Sequence, residues 1–159
     1  MLLWFAGLSF ALVWQVFRDH AIDYRLVMLG AVLPDVVDVW FGGARVLHSL
    51  TFSAALLVVV MLATRGRRAA RRRLLAVPIG TFLHLVLDGM WARTTVFWWP
   101  FLGSSFEGAG LPSADRGVAL VVVQEVVGLV VLWWCVGRWE LYEPERRREF
   151  LRTGRLTPC

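Results

Sequence analysis

The sequence contains no lysine: all seventeen of its basic residues are arginine. Cysteine is nearly absent too. Cys135 lies inside an apolar run and Cys159 is the last residue, with no CxxC pair. That spacing excludes a disulfide framework and a cysteine zinc knuckle. The opening stretch MLLWFAGLSFALVWQVF has neither the basic n-region nor the small-residue cleavage site of a secretory signal, so it reads as a retained apolar span. The absence of an internal repeat excludes a solenoid.

What is present is apolar sequence. Of 159 residues, 58% are hydrophobic and the mean hydropathy is +0.61, whereas a soluble domain sits nearer half apolar. The length allows one domain. Five apolar stretches cover residues 2–17, 26–41, 46–64, 74–91 and 117–137, and a membrane helix needs about 17–25 residues. The second stretch is short and interrupted by Pro34, Asp35 and Asp38, which predicts a kinked span or a re-entrant segment. The expected fold is all-α: a polytopic helical membrane protein with four to five transmembrane helices. Residues 1–139 would form the membrane domain and residues 140–159 a polar cytoplasmic tail carrying one short amphipathic helix.

The arginines set an orientation. Six fall in RGRRAARRR, residues 65–73, and six more lie from Arg138 onward. Between apolar spans such clusters are topology signals, because cytoplasmic loops are enriched in Arg and Lys; a nucleic-acid role is set aside, and contact with anionic lipid headgroups accompanies the topological reading. With both clusters inside, the third, fourth and fifth stretches alternate in direction without contradiction. If the second also spans, fourteen arginines are inside and only Arg45, Arg93 and Arg116 outside. Trp40, Trp91, Trp133, Trp134 and Trp139 sit near span ends, as in interfacial aromatic belts. The segment between the last two spans, residues 92–116, is rich in Gly, Ser and Pro and reads as a loop. Its apolar core VFWWPF is expected at the outer leaflet.

That orientation gathers the polar residues of the spans. Asp35 and Asp38 fall near the outer end of the second stretch and His48 at the outer start of the third. His84 and Asp88 are in the outer half of the fourth. Glu125 lies about eight residues, roughly 12 Å, below the outer start of the fifth. His84 and Asp88, at i and i+4, share a helix face. Ionisable residues inside a membrane face the bundle interior and mark functional sites, and an Asp at mid-membrane costs about 2.5–3.5 kcal/mol. A divalent cation would compensate, since carboxylate oxygen and imidazole nitrogen suit Zn²⁺, Mn²⁺ or Fe²⁺. The competing reading is structural. His84 and Asp88 would bond each other, Asp35 would start a helix after Pro34, His48 would form an interfacial turn, and Glu125 would bridge helices with Gln124. His20 is expected as a solvated loop residue. Arg45 and Arg93 would be interfacial arginines, or partners for a substrate phosphate.

Four segments in order, GAVLPDVVDV, LHSLTFS, FLHLVLDGMW and FWWPF, resemble the YdjM-type family of LexA-binding, inner-membrane, metal-dependent hydrolases. The resemblance covers roughly residues 30–101. It implies a metal site on Asp35, His48, His84 and Asp88, the positions matching the family's Pro-Asp, His-Ser and His-x-x-x-Asp elements. Three features depart from the family, the first being the absence of the Thr-His that many members carry near the N-terminus. A histidine often found five residues before the His-Ser pair is here Gly43, and the second acidic residue of the Pro-Asp element falls at Asp38, with Val37 at the usual position. The departures leave a mononuclear or degenerate site as the alternatives. The resulting expectation is a metal-dependent hydrolase of the outer leaflet, acting on an ester or phosphoester of a lipid or lipid-linked substrate. Asp38 or Glu125 would be an additional ligand or the general base. The alternatives are a non-enzymatic membrane scaffold docking through its arginine-rich tail, and an ion pathway. The clustering of ionisable groups in one leaflet disfavours the pathway.

Overall fold

In a computed structural model, residues 1–41, 43–106 and 116–156 are described; Cys159 lies outside them. Eight helices are present among these residues, and no strand. They are α1 (Leu2–Phe17), α2 (Tyr24–Asp38), α3 (Leu50–Ala63), α4 (Arg68–Leu74), α5 (Ala76–Leu87), α6 (Thr94–Phe97), α7 (Val118–Arg138) and α8 (Pro144–Thr153). Only α7 is long and apolar enough to cross a membrane unaided; α1 and α3 are shorter apolar helices.

Local signals explain the boundaries. Asp23 caps α2, its side chain accepting the N–H of Leu26, and Ser49 caps α3 by accepting from Phe52. Pro34 removes one bond from the α2 ladder, yet the helix continues to Asp38 before a 3-10 turn at residues 39–41. The second apolar stretch is thus one helix carrying an internal proline. Several expectations are corrected. The arginine run is not simply a loop, since residues 68–74 are helical. The outer loop contains one helical turn, α6, whose Val96 is buried with Ala44, Leu85 and Met90. Trp139 faces inward rather than outward from the bundle: it is 2% exposed and packs with Phe10 and Trp14. Trp40, Trp91, Trp133 and Trp134 are exposed.

Two glycine contacts fix the bundle. A Cβ on Gly30 would lie 2.3 Å from the Val77 carbonyl oxygen, and one on Gly80 would lie 2.2 Å from that of Val27. Helices α2 and α5 therefore touch backbone to backbone, as small residues permit in membranes. Gly7 and Gly128 do the same for α1 and α7. Beside the α2–α5 seam, Phe10, Val13, Tyr24, Val27 and Trp139 form a core that also takes Phe150 of α8 and Leu156.

The tail is held by a second device. Asp23 is 1% exposed, and its carboxylate receives Arg25 at 2.9 and 3.1 Å and Arg73 at 3.0 Å. Arg25 also donates to the Leu151 carbonyl, and the Tyr24 N–H donates to the Gly154 carbonyl at 2.9 Å. Gly154 ends α8 with φ 72, and a Cβ there would strike the Asp23 carboxylate. One carboxylate thus joins the start of α2, the arginine-rich α4 and the end of α8. His20 is half-buried rather than solvated, edge-on to Trp14, and its carbonyl accepts from Leu156.

Two tests follow. Gly80→Ala should force α5 away from α2, at a cost of about 1–3 kcal/mol for overpacking, read as a lowered Tm in detergent; an unchanged Tm would contradict the backbone contact. Burial alone would raise the Asp23 carboxyl, but Arg25 and Arg73 outweigh it and hold it below the usual carboxylate range. The stability it contributes is complete above the unfolded carboxylate value of about 4 and is lost as pH falls from there through the lower folded value. In a Tm series from pH 7 to pH 3, Asp23→Asn should be less stable at neutral pH and should flatten the acid limb.

Candidate metal centre

Four side chains from three segments meet beside the α2–α5 seam. Asp35 and Asp38 come from the last turn of α2, His48 from the 3-10 turn Val46–His48, and His84 from α5. His48 and His84 are fully buried, Asp38 is 1% exposed and Asp35 9%. Phe5 of α1 covers the His84 ring, with centroids 4.2 Å apart.

The hydrogen bonds determine where each imidazole carries its proton. His84 Nδ1 is 2.7 Å from the Ala31 carbonyl oxygen. A carbonyl only accepts, so Nδ1 is the protonated nitrogen. His48 Nδ1 is 2.7 Å from Asp38 Oδ2, which also accepts the backbone N–H of Arg45 at 2.9 Å; here too Nδ1 donates. Both rings therefore present Nε2 inward, and in the neutral imidazole that nitrogen is a lone pair. The two Nε2 atoms face each other at 3.2 Å. Asp35 Oδ1 lies 3.4 Å from one and 3.7 Å from the other, and this buried oxygen has no hydrogen-bond partner.

Three acceptors at such distances repel one another unless positive charge sits between them. A proton on one Nε2 would satisfy one pair. A metal ion would satisfy all three. Tetrahedral bonds of roughly 2.0–2.1 Å place ligand atoms about 3.3–3.4 Å apart, close to the 3.2, 3.4 and 3.7 Å found. The Nδ1 bonds to Asp38 and Ala31 are the outer partners that metal-ligating histidines use. The residues present thus fit a divalent ion held by two neutral imidazoles and a carboxylate.

The remaining predicted residues are placed differently. Asp88 caps the end of α5, where its Oδ1 is 3.1 Å from Arg116 Nη2. The same guanidinium donates to the Asp88 carbonyl at 2.6 Å. His84 lies on α5 and Asp88 caps its end, and the group of converging ligand atoms contains Asp35, His48 and His84. Glu125 of α7 accepts the N–H of Leu3 at 3.1 Å and lies 3.7 Å from the Met1 amino group. Asp38 orients His48 rather than joining the group. Sequence reasoning missed the Ala31 carbonyl, which carries no side-chain signal, and the pairing of Arg116, which counted only as an outer charge.

Asp88 is buried and its pair with Arg116 is largely shielded, so removing one partner strands a charge. Arg116→Met should lower Tm clearly in detergent, and adding Asp88→Asn should recover part of the loss. Equal Tm values for Arg116→Met and wild type would show that the pair contributes nothing.

The model of the YdjM inner membrane protein family matches residues 1–146. No curated protein and no solved structure matches the chain. The family match covers most of the sequence, and the chain belongs to the YdjM inner membrane protein family.

Proposed function

We propose that this member of the family is a multi-pass, metal-dependent hydrolase acting at the outer leaflet on an ester or phosphoester of a lipid or lipid-linked substrate. The observation that carries the reading is the meeting of His48 Nε2, His84 Nε2 and Asp35 Oδ1 in one buried group, in which Asp35 Oδ1 has no hydrogen-bond partner. Asp35, His48 and His84 would hold the ion, with Zn²⁺, Mn²⁺ or Fe²⁺ suited to this donor set. Asp38 acts through His48 as a positioning residue, and Ala31 does the same for His84. Asp88 is a further carboxylate one turn beyond His84, held by Arg116. When bound, such a metal lowers the pKa of coordinated water to about 7 and polarises an ester or phosphoester oxygen.

The topology belongs to the same proposal. Helices α1, α2, α3 and α5 have 16, 15, 14 and 12 residues, about 18–24 Å at 1.5 Å per residue. Flanking elements lengthen some of them: the turn Val46–His48 precedes α3, and α4 leads into α5. Local thinning of the bilayer accommodates short spans. The Arg65–Arg73 segment and the tail would face the cytoplasm, joined there by Asp23, while the cluster lies toward the opposite end of α5. The Thr51 hydroxyl donates to the Trp99 carbonyl, tying the aromatic segment to the start of α3 as a lip near the cluster. Its exposed Trp98, Phe101 and Leu102 suit contact with lipid.

Elemental analysis of detergent-purified protein tests the reading. Wild type should carry near-stoichiometric Zn, Mn or Fe, and His84→Ala should lose it. Chelator-sensitive hydrolysis in a screen of lipid esters and phosphoesters should follow the metal. If wild type binds none even after incubation with excess metal, the polar residues knit the helices together and the scaffold reading replaces the enzyme.

A further inference from the structure

One cavity has a shape and a polar atom that the proposed chemistry leaves unused. Between α1 and α3, with α5 as its floor, runs an open apolar cleft of about 590 Å³. At the cluster end it is lined by Leu50, Ser53 and Val86, and at the far end by Phe17, Pro78 and Ile79. From Pro78 to Val86 the floor rises by eight residue steps, about 12 Å. The lining of the cleft is apolar along that length apart from Ser53, which suits an extended aliphatic chain.

The cleft's buried polar side chain is Ser53, which is 4% exposed and whose Oγ has no hydrogen-bond partner. An unsatisfied buried hydroxyl is costly, and this one borders the cleft one helical turn from Ser49 and hence from His48. A lipid carries a hydrogen-bond acceptor where its acyl chain meets its headgroup, namely the ester carbonyl.

We propose that the cleft between α1, α3 and α5 receives an acyl chain of a membrane glycerolipid, with the Ser53 hydroxyl donating to its ester carbonyl and the headgroup directed to Asp35, His48 and His84. The proposal rests on the cluster being the hydrolytic site. It fixes the substrate's direction: the reacting bond lies at the Ser53 end and the methyl end of the chain near Phe17. A pocket lined by Arg68, Arg71 and Arg72 shares Phe17 and Ile79 with the far end of the cleft, and a lipid lying the opposite way would put its headgroup there.

The probe is phosphatidylglycerol bearing a diazirine either near the carboxyl or near the methyl end of one acyl chain. Full-length protein is placed in nanodiscs of phosphatidylglycerol and phosphatidylethanolamine, irradiated, and mapped by peptide mass spectrometry. Carboxyl-proximal probe should label residues around Leu50, Ser53 and Val86, and methyl-terminal probe those around Phe17 and Ile79. Ala54→Trp and, separately, Leu57→Trp should reduce cleft labelling at least five-fold, folding being checked by size exclusion and circular dichroism. Ser53→Ala should weaken the carboxyl-proximal labelling, and Ser53→Thr should keep it. Labelling spread evenly over the cleft and the exposed face of α7, or a reversed pattern, overturns the proposal. Metal content on the same samples separates the two ideas. A His84→Ala protein that loses metal but keeps ordered labelling supports the cleft, whereas metal-loaded wild type without ordered labelling refutes the cleft and leaves the cluster standing.

Discussion

The contact between Gly30 and Gly80 is the constraint on which the rest depends. Any side chain at either position would meet opposing backbone at close to 2 Å, so the approach of α2 to α5 exists only because both residues lack a Cβ. That approach brings the Ala31 carbonyl within 2.7 Å of His84. Without it the His84 ring has no fixed orientation and its Nε2 has no reason to point at His48. A backbone packing decision made one turn away thus determines the protonation pattern of a buried histidine.

The molecule keeps its charges at two ends and treats them differently. At the arginine-rich end, Asp23 is satisfied completely: two guanidiniums and a backbone N–H fill its lone pairs. That pairing ties chain segments together and leaves little for a ligand. At the other end, Asp38 and Asp88 are paired, but Asp35 Oδ1 and the two Nε2 atoms face one another. Both ends bury carboxylates, and only one leaves converging acceptors uncompensated. The contrast within one chain is between a carboxylate whose partners are all supplied by the protein and a buried group whose polar atoms converge on one another.

The sequence made the polar residues conspicuous because the surrounding stretches are apolar. Asp35, His48 and His84 could be singled out by cost alone, and arginine asymmetry grouped them without any structure. The division of roles was not legible. Asp35 and Asp38 are three residues apart on one helix, yet one faces the two Nε2 atoms and the other receives Nδ1–H from behind. The helical spacing of His84 and Asp88 was visible, but α5 ends at Leu87 and Arg116 takes the Asp88 carboxylate. Arg116 is 28 positions from Asp88 in sequence, and no local pattern predicts such a pair. The helical state of the arginine run was missed because its composition was read only as charge, and the burial of Trp139 because position near a span end was read as exposure.

The unresolved tension at the cluster is one of sign. Each histidine donates through Nδ1 to a strong acceptor, which favours a lone pair on Nε2, and each Nε2 then confronts another lone pair and a carboxylate oxygen. A water molecule has two protons to offer three acceptors. A proton shared between the imidazoles answers one contact and leaves Asp35 Oδ1 with only charge attraction at 3.4 Å. A divalent cation answers all three at once and gains from the negative charge of Asp35. It also explains why Asp38 stands behind His48: a carboxylate hydrogen-bonded to Nδ1 makes Nε2 a stronger donor to a metal. In a low-dielectric setting, where unpaired polar groups are most costly, this convergence is the feature on which the proposed cation site rests.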